Sequence, residues 1–188
     1  MKNSNLSEVS DEETARTPFA CASQRAENLA ILGAKNVLEL CVGPSLRVLE
    51  RAYEQVGIKV TGNDIDMRWR SYHPGGSWVI GDALEITAFD YMWDTMVFAP
   101  PLSHGCTGRR ADSLMINEVT PKYTDFLHFS QEYKGILTLV LPARSLATRD
   151  DRSQFHSLLS NIEGSVEVVP LVDGCVKYYD VYIDRRKS

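Results

Sequence analysis

Apolar residues change their spacing several times along the chain, and each change marks a new element. Between Phe19 and Leu32 they recur every three or four positions, with Ala22, Ala26, Leu29 and Ala30 on one side. That spacing predicts a helix, and Gly33 supplies its end. NVLELCV, residues 36–42, is a short apolar run whose one charge is Glu39, which reads as a buried strand. Pro44 and Ser45 then open LRVLERAYEQV, where Leu46, Leu49, Ala52, Tyr53 and Val56 line one helical face before Gly57. IKVTGND, WVIGD and TMVFA follow as three more strands.

Beyond TMVFA the pattern breaks into a proline- and glycine-rich loop, then resumes. PKYTDFLHFSQEY predicts a helix offering Phe126, Leu127 and Phe129 to a core. GILTLVL is the most apolar strand of the chain, and residues 151–162 form a helical pattern with Phe155, Leu158 and Leu159. SVEVVPLV and CVKYYDVYID alternate as two last strands, with Asp173-Gly174 as turn chemistry between them. Strands and helices in alternation with short links predict an α/β fold, a three-layer sandwich around a mostly parallel seven-stranded sheet. The final strands, with no helix between them, predict an antiparallel C-terminal strand pair.

Length changes little in this picture: 188 residues suit one substantial core. Residues 1–17 lack apolar periodicity and read as a disordered acidic tail, leaving 18–188 as a single domain. Of the net charge of −5, −3 lies in residues 1–14, where Lys2 is set against Glu8, Asp11, Glu12 and Glu13. The near-neutral remainder offers no broad basic field for nucleic acid. No stretch has the roughly 20 apolar residues of a membrane helix, and the N-terminus is not a secretory signal, so the reading is cytoplasmic with no membrane partner. Cys21, Cys41, Cys106 and Cys175 are scattered without a paired spacing, which predicts no metal site and no disulfide framework.

In open sheets of this kind ligands bind beyond the carboxyl ends of the strands, where strand order reverses. The first strand runs out into Glu39-Leu40-Cys41-Val42-Gly43-Pro44-Ser45, a turn in which Gly43 permits close backbone approach. The second ends in Thr61-Gly62-Asn63-Asp64, and Asp64 stands 21 residues after Gly43. A carboxylate at about that interval accepts from both hydroxyls of a ribose. The third ends in Gly81-Asp82-Ala83, another acid at a strand end.

VLELCVG, VTGNDID, VIGDA and VFAPPL, in that order, resemble the motifs of class I S-adenosylmethionine-dependent methyltransferases, a Rossmann-like family. The likeness spans about residues 20–186. It implies S-adenosyl-L-methionine as cofactor, with Glu39, Cys41, Gly43 and Ser45 beside its methionine part. It implies ribose binding by Asp64, and adenine contacts from Asp82 with Ala83 next to it. The family's glycine triplet stands here as Cys41, Gly43 and Ser45, so one glycine of three remains. The G-x-G-x-x-G of NAD-dependent dehydrogenases is absent.

APPL after the fourth strand is similar to the Asn/Asp-Pro-Pro-aromatic motif of methyltransferases acting on exocyclic or amide nitrogens. Pro100 and Pro101 are kept, while Ala99 replaces the polar residue and Leu102 the aromatic one. The likeness implies that Ala99 and Pro100 carry the catalytic carbonyls, with Pro101 and Leu102 against the substrate. The continuation SHGCTGRR adds His104 as a candidate general base and Arg109 and Arg110 as grips for a carboxylate or phosphate. Trp69, Tyr72, His73 and the Gly75-Gly76 pair are candidates for the opposite rim.

The leading expectation is methyl transfer to an N or O nucleophile, with a small-molecule acceptor favoured over RNA or protein. Ala99 and the two missing glycines motivate a second reading, a degenerate methyltransferase-like protein acting as a cofactor-binding or partner subunit. The Asp64 logic is shared by NAD-dependent oxidoreductases and motivates a third.

Overall fold

The computed structural model describes residues 17–86, 92–100, 116, 119–160 and 162–186. Its strands are β1 (Asn36–Leu40), β2 (Lys59–Asp64), β3 (Trp78–Ile80), β4 (Thr95–Phe98), β5 (Ile136–Pro142), β6 (Ser165–Asp173) and β7 (Cys175–Asp184). Its helices are α1 (Phe19–Ile31), α2 (Leu46–Glu54), α3 (Arg68–Tyr72), α4 (Tyr123–Phe129) and α5 (Arg149–Leu159). One sheet takes the strands in the order β3-β2-β1-β4-β5-β7-β6. Pairing is parallel from β3 to β5, and β7 runs antiparallel to both β5 and β6. The expected seven-stranded, mostly parallel sheet with an antiparallel C-terminal pair is therefore what the chain forms.

Alternation along the central strands explains the layers. Val37, Val97, Ile136 and Val140 face α1 and α2, packing with Ala22, Ala26, Leu29, Leu49 and Tyr53. Leu38, Leu40, Phe98, Leu137 and Leu139 face α4 and α5, packing with Tyr123, Phe126, Phe155 and Leu158. A central strand covered on both sides needs an apolar residue at nearly every position, and β5 is buried throughout. Gly62 of β2 lets α2 come close: a Cβ there would stand 2.9 Å from the Leu46 side chain and 3.0 Å from Val42.

Three local differences from the sequence reading have physical causes. A short helix, α3, stands where the reading had only a rim of aromatic residues. It buries no side chain, so no apolar stripe announced it. The helix expected over 121–133 is confined to Tyr123–Phe129, since Pro121 and Lys122 are extended or turn residues ahead of it. The last helix starts at Arg149, two residues early, because Thr148 caps it. The Thr148 hydroxyl accepts from the Asp151 N–H at 3.1 Å while the Asp151 carboxylate accepts from the Thr148 N–H at 3.0 Å.

The outer edge of the sheet at β6 is closed against further pairing. The Gln24 amide of α1 grips Val172 from the side, accepting from its N–H at 3.0 Å and donating to its carbonyl at 2.6 Å. Alternation puts Pro170, which has no N–H to offer, on that same outward-facing set.

Candidate functional site

The strand order reverses between β1 and β4, whose crossovers leave on opposite faces of the sheet. Parallel pairing brings the carboxyl ends of β3, β2, β1 and β4 to one edge, in that spatial order. Leu40 stands opposite both Asn63 and Phe98, and Asp64 stands opposite Ile80. With strands spaced at 4.7–4.9 Å, these four ends cover about 14 Å. The groups singled out in the sequence thus line up as Asp82, Asp64, the Cys41–Ser45 turn, then Ala99 and Pro100.

Each end is fastened to its neighbour. The Val42 N–H donates to the Asn63 carbonyl at 2.9 Å, the Gly81 N–H to the Asp64 carbonyl at 3.2 Å, and the Ala99 N–H to the Leu40 carbonyl at 3.2 Å. Asp64 holds the turn itself. Its Oδ2 accepts from the Gly43 N–H at 2.8 Å and its Oδ1 from the Asp66 N–H at 2.9 Å. Each carboxylate oxygen keeps a lone pair for a further donor, and the side chain is only half-buried. Gly43 takes φ 54° and Cys41 takes φ 60°. Cys41 therefore occupies the left-handed conformation that glycine adopts without cost. The turn keeps a glycine-like path despite the substituted sequence.

Around this frame the other candidates take distinct positions. Asp82 folds onto its own loop, its Oδ1 accepting from the Leu84 N–H at 2.9 Å. Ala83 is buried in the core beneath it. The buried Ser45 hydroxyl accepts from the Thr17 N–H at 3.2 Å. Ala99 packs its methyl group toward the α1–α2 side of the core, and Pro100 is buried. Stacking of Phe98 on Phe126, with ring centroids 4.4 Å apart, pins the β4 exit to α4. Pro101, Leu102, His104, Cys106, Arg109 and Arg110 lie outside the described residues. His73, at the end of α3, pairs through Nε2 with Glu50 Oε2 of α2 at 2.5 Å.

Glu39 turns away from the strand ends and is fully buried. Its Oε1 accepts from the Tyr53 hydroxyl and lies 3.5 Å from Nη1 of Arg25. Arg25 in turn grips Asp180 of β7 through Nε at 2.6 Å and Nη2 at 3.0 Å. Burial raises the Glu39 carboxyl above its ordinary range, with Arg25 and Tyr53 opposing that rise. Burial alone would lower the Arg25 guanidinium, but the Asp180 and Glu39 carboxylates outweigh it and hold it well above its usual value. The first strand's acid is thus spent on binding α1, α2 and β7 to β1. The cue for its partners was available in sequence. Arg25 shares the apolar face of Ala22, Ala26 and Leu29, and Asp180 interrupts an apolar strand.

Two residues at the site escaped the sequence reading. Asn63, fully buried, donates through Nδ2 to the carbonyls of Val79 and Gly81 at 3.0 Å each, setting the third strand end beside the second. An amide inside an otherwise apolar strand was the signal. Ile65 follows Asp64 and is 71% exposed, an apolar side chain held out next to the acid. Among the described residues no group of His, Cys, Asp and Glu is arranged to hold a metal ion. Likewise no described helix is long and apolar enough to cross a membrane. Cys21, Cys41 and Cys175 form no disulfide.

No family model matches the sequence, and no curated protein sequence matches it. Solved structures do resemble the chain. The human methyltransferase 10 domain containing protein superposes with a TM-score of 0.64 at 12% identity, over 89% of this chain and 83% of that one. The catalytic domain of human Mettl16, in complex with an RNA hairpin of the MAT2A 3′UTR, gives 0.60 at 12% identity, over 94% and 74%. Magnesium protoporphyrin IX methyltransferase from Synechocystis, with bound SAM, gives 0.57 at 12% identity, over 88% and 79%. The chain has the fold of class I S-adenosylmethionine-dependent methyltransferases. At such identities the likeness speaks to architecture alone.

Proposed function

We propose that this protein binds S-adenosylmethionine along the β3–β2–β1–β4 edge and transfers its methyl group to an acceptor held above Pro100. One observation carries the reading: the four strand ends lie side by side in the order a nucleoside-to-sulfonium ligand would need. The residues present fit such a ligand. Asp64 keeps one lone pair per oxygen for the two ribose hydroxyls, and Ile65 offers an exposed apolar surface to the adjoining ring. Asp82 stands at the far end for an exocyclic amine, and the left-handed turn at Cys41 and Gly43 keeps the backbone low beneath the methionine part.

S-adenosylmethionine, when bound, supplies a methyl group already activated by its sulfonium. The chain's contribution is therefore chiefly placement of the two partners. Gly43 is fixed by Asp64, so losing that carboxylate removes the ribose acceptor and loosens the turn together. Ala99 and Pro100 offer carbonyls to an acceptor amine, Pro101 and Leu102 lie against the substrate, and His104 serves as the base for an acceptor that must lose a proton. Arg109 and Arg110 suit a carboxylate or phosphate on a small acceptor, which we favour over RNA or protein.

Calorimetric titration with S-adenosylmethionine is the direct test. Micromolar binding is expected, and Asp64→Ala should weaken it by a factor of ten or more. An unchanged affinity in that variant would remove Asp64 from the site, and no binding by the native protein would remove the cofactor. Ala99 favours one alternative, a cofactor-binding subunit without turnover, because its packed methyl group leaves no polar side chain where the acceptor's amine would be aligned. Transfer of labelled methyl into small metabolites or RNA, with His104→Ala slowed at intact cofactor affinity, separates the two. Titration with NADH tests the oxidoreductase reading, which predicts saturable binding there instead.

A further inference from the structure

The edge of the sheet opposite the strand ends of the candidate site holds a second concavity. Ile136, the first residue of β5, stands opposite Asp184 of β7, and Asp184 stands opposite Ser165, the first residue of β6. Lys134, Arg185 and Glu163 each lie just beyond that row, so three strand termini bring them to one corner. Helix α4 adds Thr124 and His128, four residues apart and hence on one face, and Gln131 follows in the turn after it. These side chains, with Leu127 as an apolar wall, line a cavity of about 540 Å³.

The corner is firmly built. The Arg185 N–H donates to the Gly135 carbonyl at 3.1 Å and its Nη1 donates to the Ser130 carbonyl, so the guanidinium is fixed between β5 and the end of α4. Only 7% of Arg185 is exposed. Gly164, at φ 119°, lets the loop before β6 close on it: a Cβ there would stand 3.2 Å from the Asp184 carbonyl and 3.6 Å from Arg185 Cγ. That approach holds Glu163 at the cavity. Asp184, the other acid of the corner, pairs with Arg186 at 2.8 Å.

Charge here runs against that of the chain. The protein carries a net −5, whereas the cavity sets Lys134 and Arg185, and His128 when protonated, against Glu163 alone. Burial lowers the Arg185 guanidinium from its usual value and Glu163 opposes that fall. Neighbouring cations repel each other until an anion enters between them. Guanidinium, ammonium, imidazole, the Gln131 amide and the Thr124 hydroxyl together offer more donors than the two oxygens of a carboxylate can use, and a phosphate has three oxygens and close to two charges. A cavity of this volume falls in the range of small-ligand sites, about 300–1,000 Å³, and has room for more than the phosphate. The Glu163 carboxylate then suits a hydroxyl or amine on the rest of the ligand.

We propose that this cavity binds a small phosphate ester, its phosphate on Arg185, Lys134 and His128 and a hydroxyl or amine of its body on Glu163. The site needs nothing from the cofactor reading, because the two lie at opposite ends of the strands.

Titration of the full chain with glycerol 3-phosphate at constant ionic strength, followed through its amide NMR signals, tests it. Saturable shifts are expected at 124–134, 163–165 and 185, with 62–66 and 81–84 unmoved. Shifts confined to the second group, or no saturation, would overturn the proposal. Lys134 is exposed, so its replacement leaves the fold intact. Lys134→Gln should weaken binding about tenfold, while Lys134→Arg should stay within about twofold of native. Native affinity in Lys134→Gln would remove the phosphate from this corner. Inorganic phosphate should bind about fivefold more weakly than the ester, and Glu163→Gln should erase that preference. Equal affinity for the two in the native protein would overturn the ester, and a preference that survives in Glu163→Gln would overturn the placement of its body. Malate bound as tightly as glycerol 3-phosphate would overturn phosphate as the recognised group.

Discussion

Cys41 shows how a single position both obscures and preserves the site. One of the family's missing glycines falls there, part of the motive for the degenerate reading, yet the backbone keeps φ 60° with a side chain attached. A non-glycine residue tolerates that region at a cost of about 1–2 kcal/mol, more if branched at Cβ. Cys41→Val should therefore destabilise the fold by about 1–3 kcal/mol in urea denaturation, despite its comparable size and greater apolarity. No loss of stability would mean the turn relaxes freely. Glu39 teaches the opposite lesson. Its motif position was legible, but its direction was not, because strand alternation fixes facing only once the neighbouring layers are known. The thiol of Cys21 is pushed up to about 11, chiefly by burial, which disfavours the reactive thiolate.

Among elements, the Arg25 cluster decides how the layers hold together, joining α1 and α2 to β1 and β7 in a wholly buried setting. Removing the cation leaves two carboxylates facing each other without compensation, so Arg25→Met should cost about 3–5 kcal/mol near pH 7. The pH dependence has a definite sign. Burial raises the Glu39 carboxyl, and in the variant the Arg25 cation no longer opposes that rise, so its stabilising contribution is complete at acid pH and lost as pH rises through its folded value. The deficit against native protein should shrink on going from pH 7 to pH 5; a deficit independent of pH would show that Arg25 acts through packing only. Long apolar runs made β1, β4 and β5 readable, and alternation did the same for β6 and β7. Helix α3 was unreadable for the complementary reason, since an element that buries nothing leaves no periodic trace.

For the whole molecule, the arrangement along one sheet edge makes a thermal prediction. A ligand that binds only the folded state at one hundred times its dissociation constant adds about 2.7 kcal/mol. For a chain of this size that corresponds to a rise in Tm of about 5–10 °C. Saturating S-adenosylmethionine should produce such a rise in the native protein and much less in Asp64→Ala. A flat melting profile in the native protein would remove the cofactor from the edge. The acceptor could not be read at this scale, because its chemistry depends on side chains beyond Pro100 and not on the order of strands. The mostly parallel sheet with its antiparallel C-terminal pair was accessible from sequence because short links between alternating elements leave few topologies open, whereas the order of the strands came only with the structure.

Among the described strands β7 comes last in the chain, yet it lies inside the sheet, between β5 and β6. It also carries Asp180, the carboxylate that meets Arg25 from the first described helix. During synthesis the guanidinium emerges 155 residues ahead of its partner. Until β7 leaves the ribosome, Glu39 alone of the two carboxylates faces the Arg25 guanidinium, and β6 lacks the strand it pairs with. A nascent chain stopped short of Asp180 would therefore keep its first helix loose and its sheet open. Completion of the sheet and of the Arg25 cluster thus waits on the last described strand.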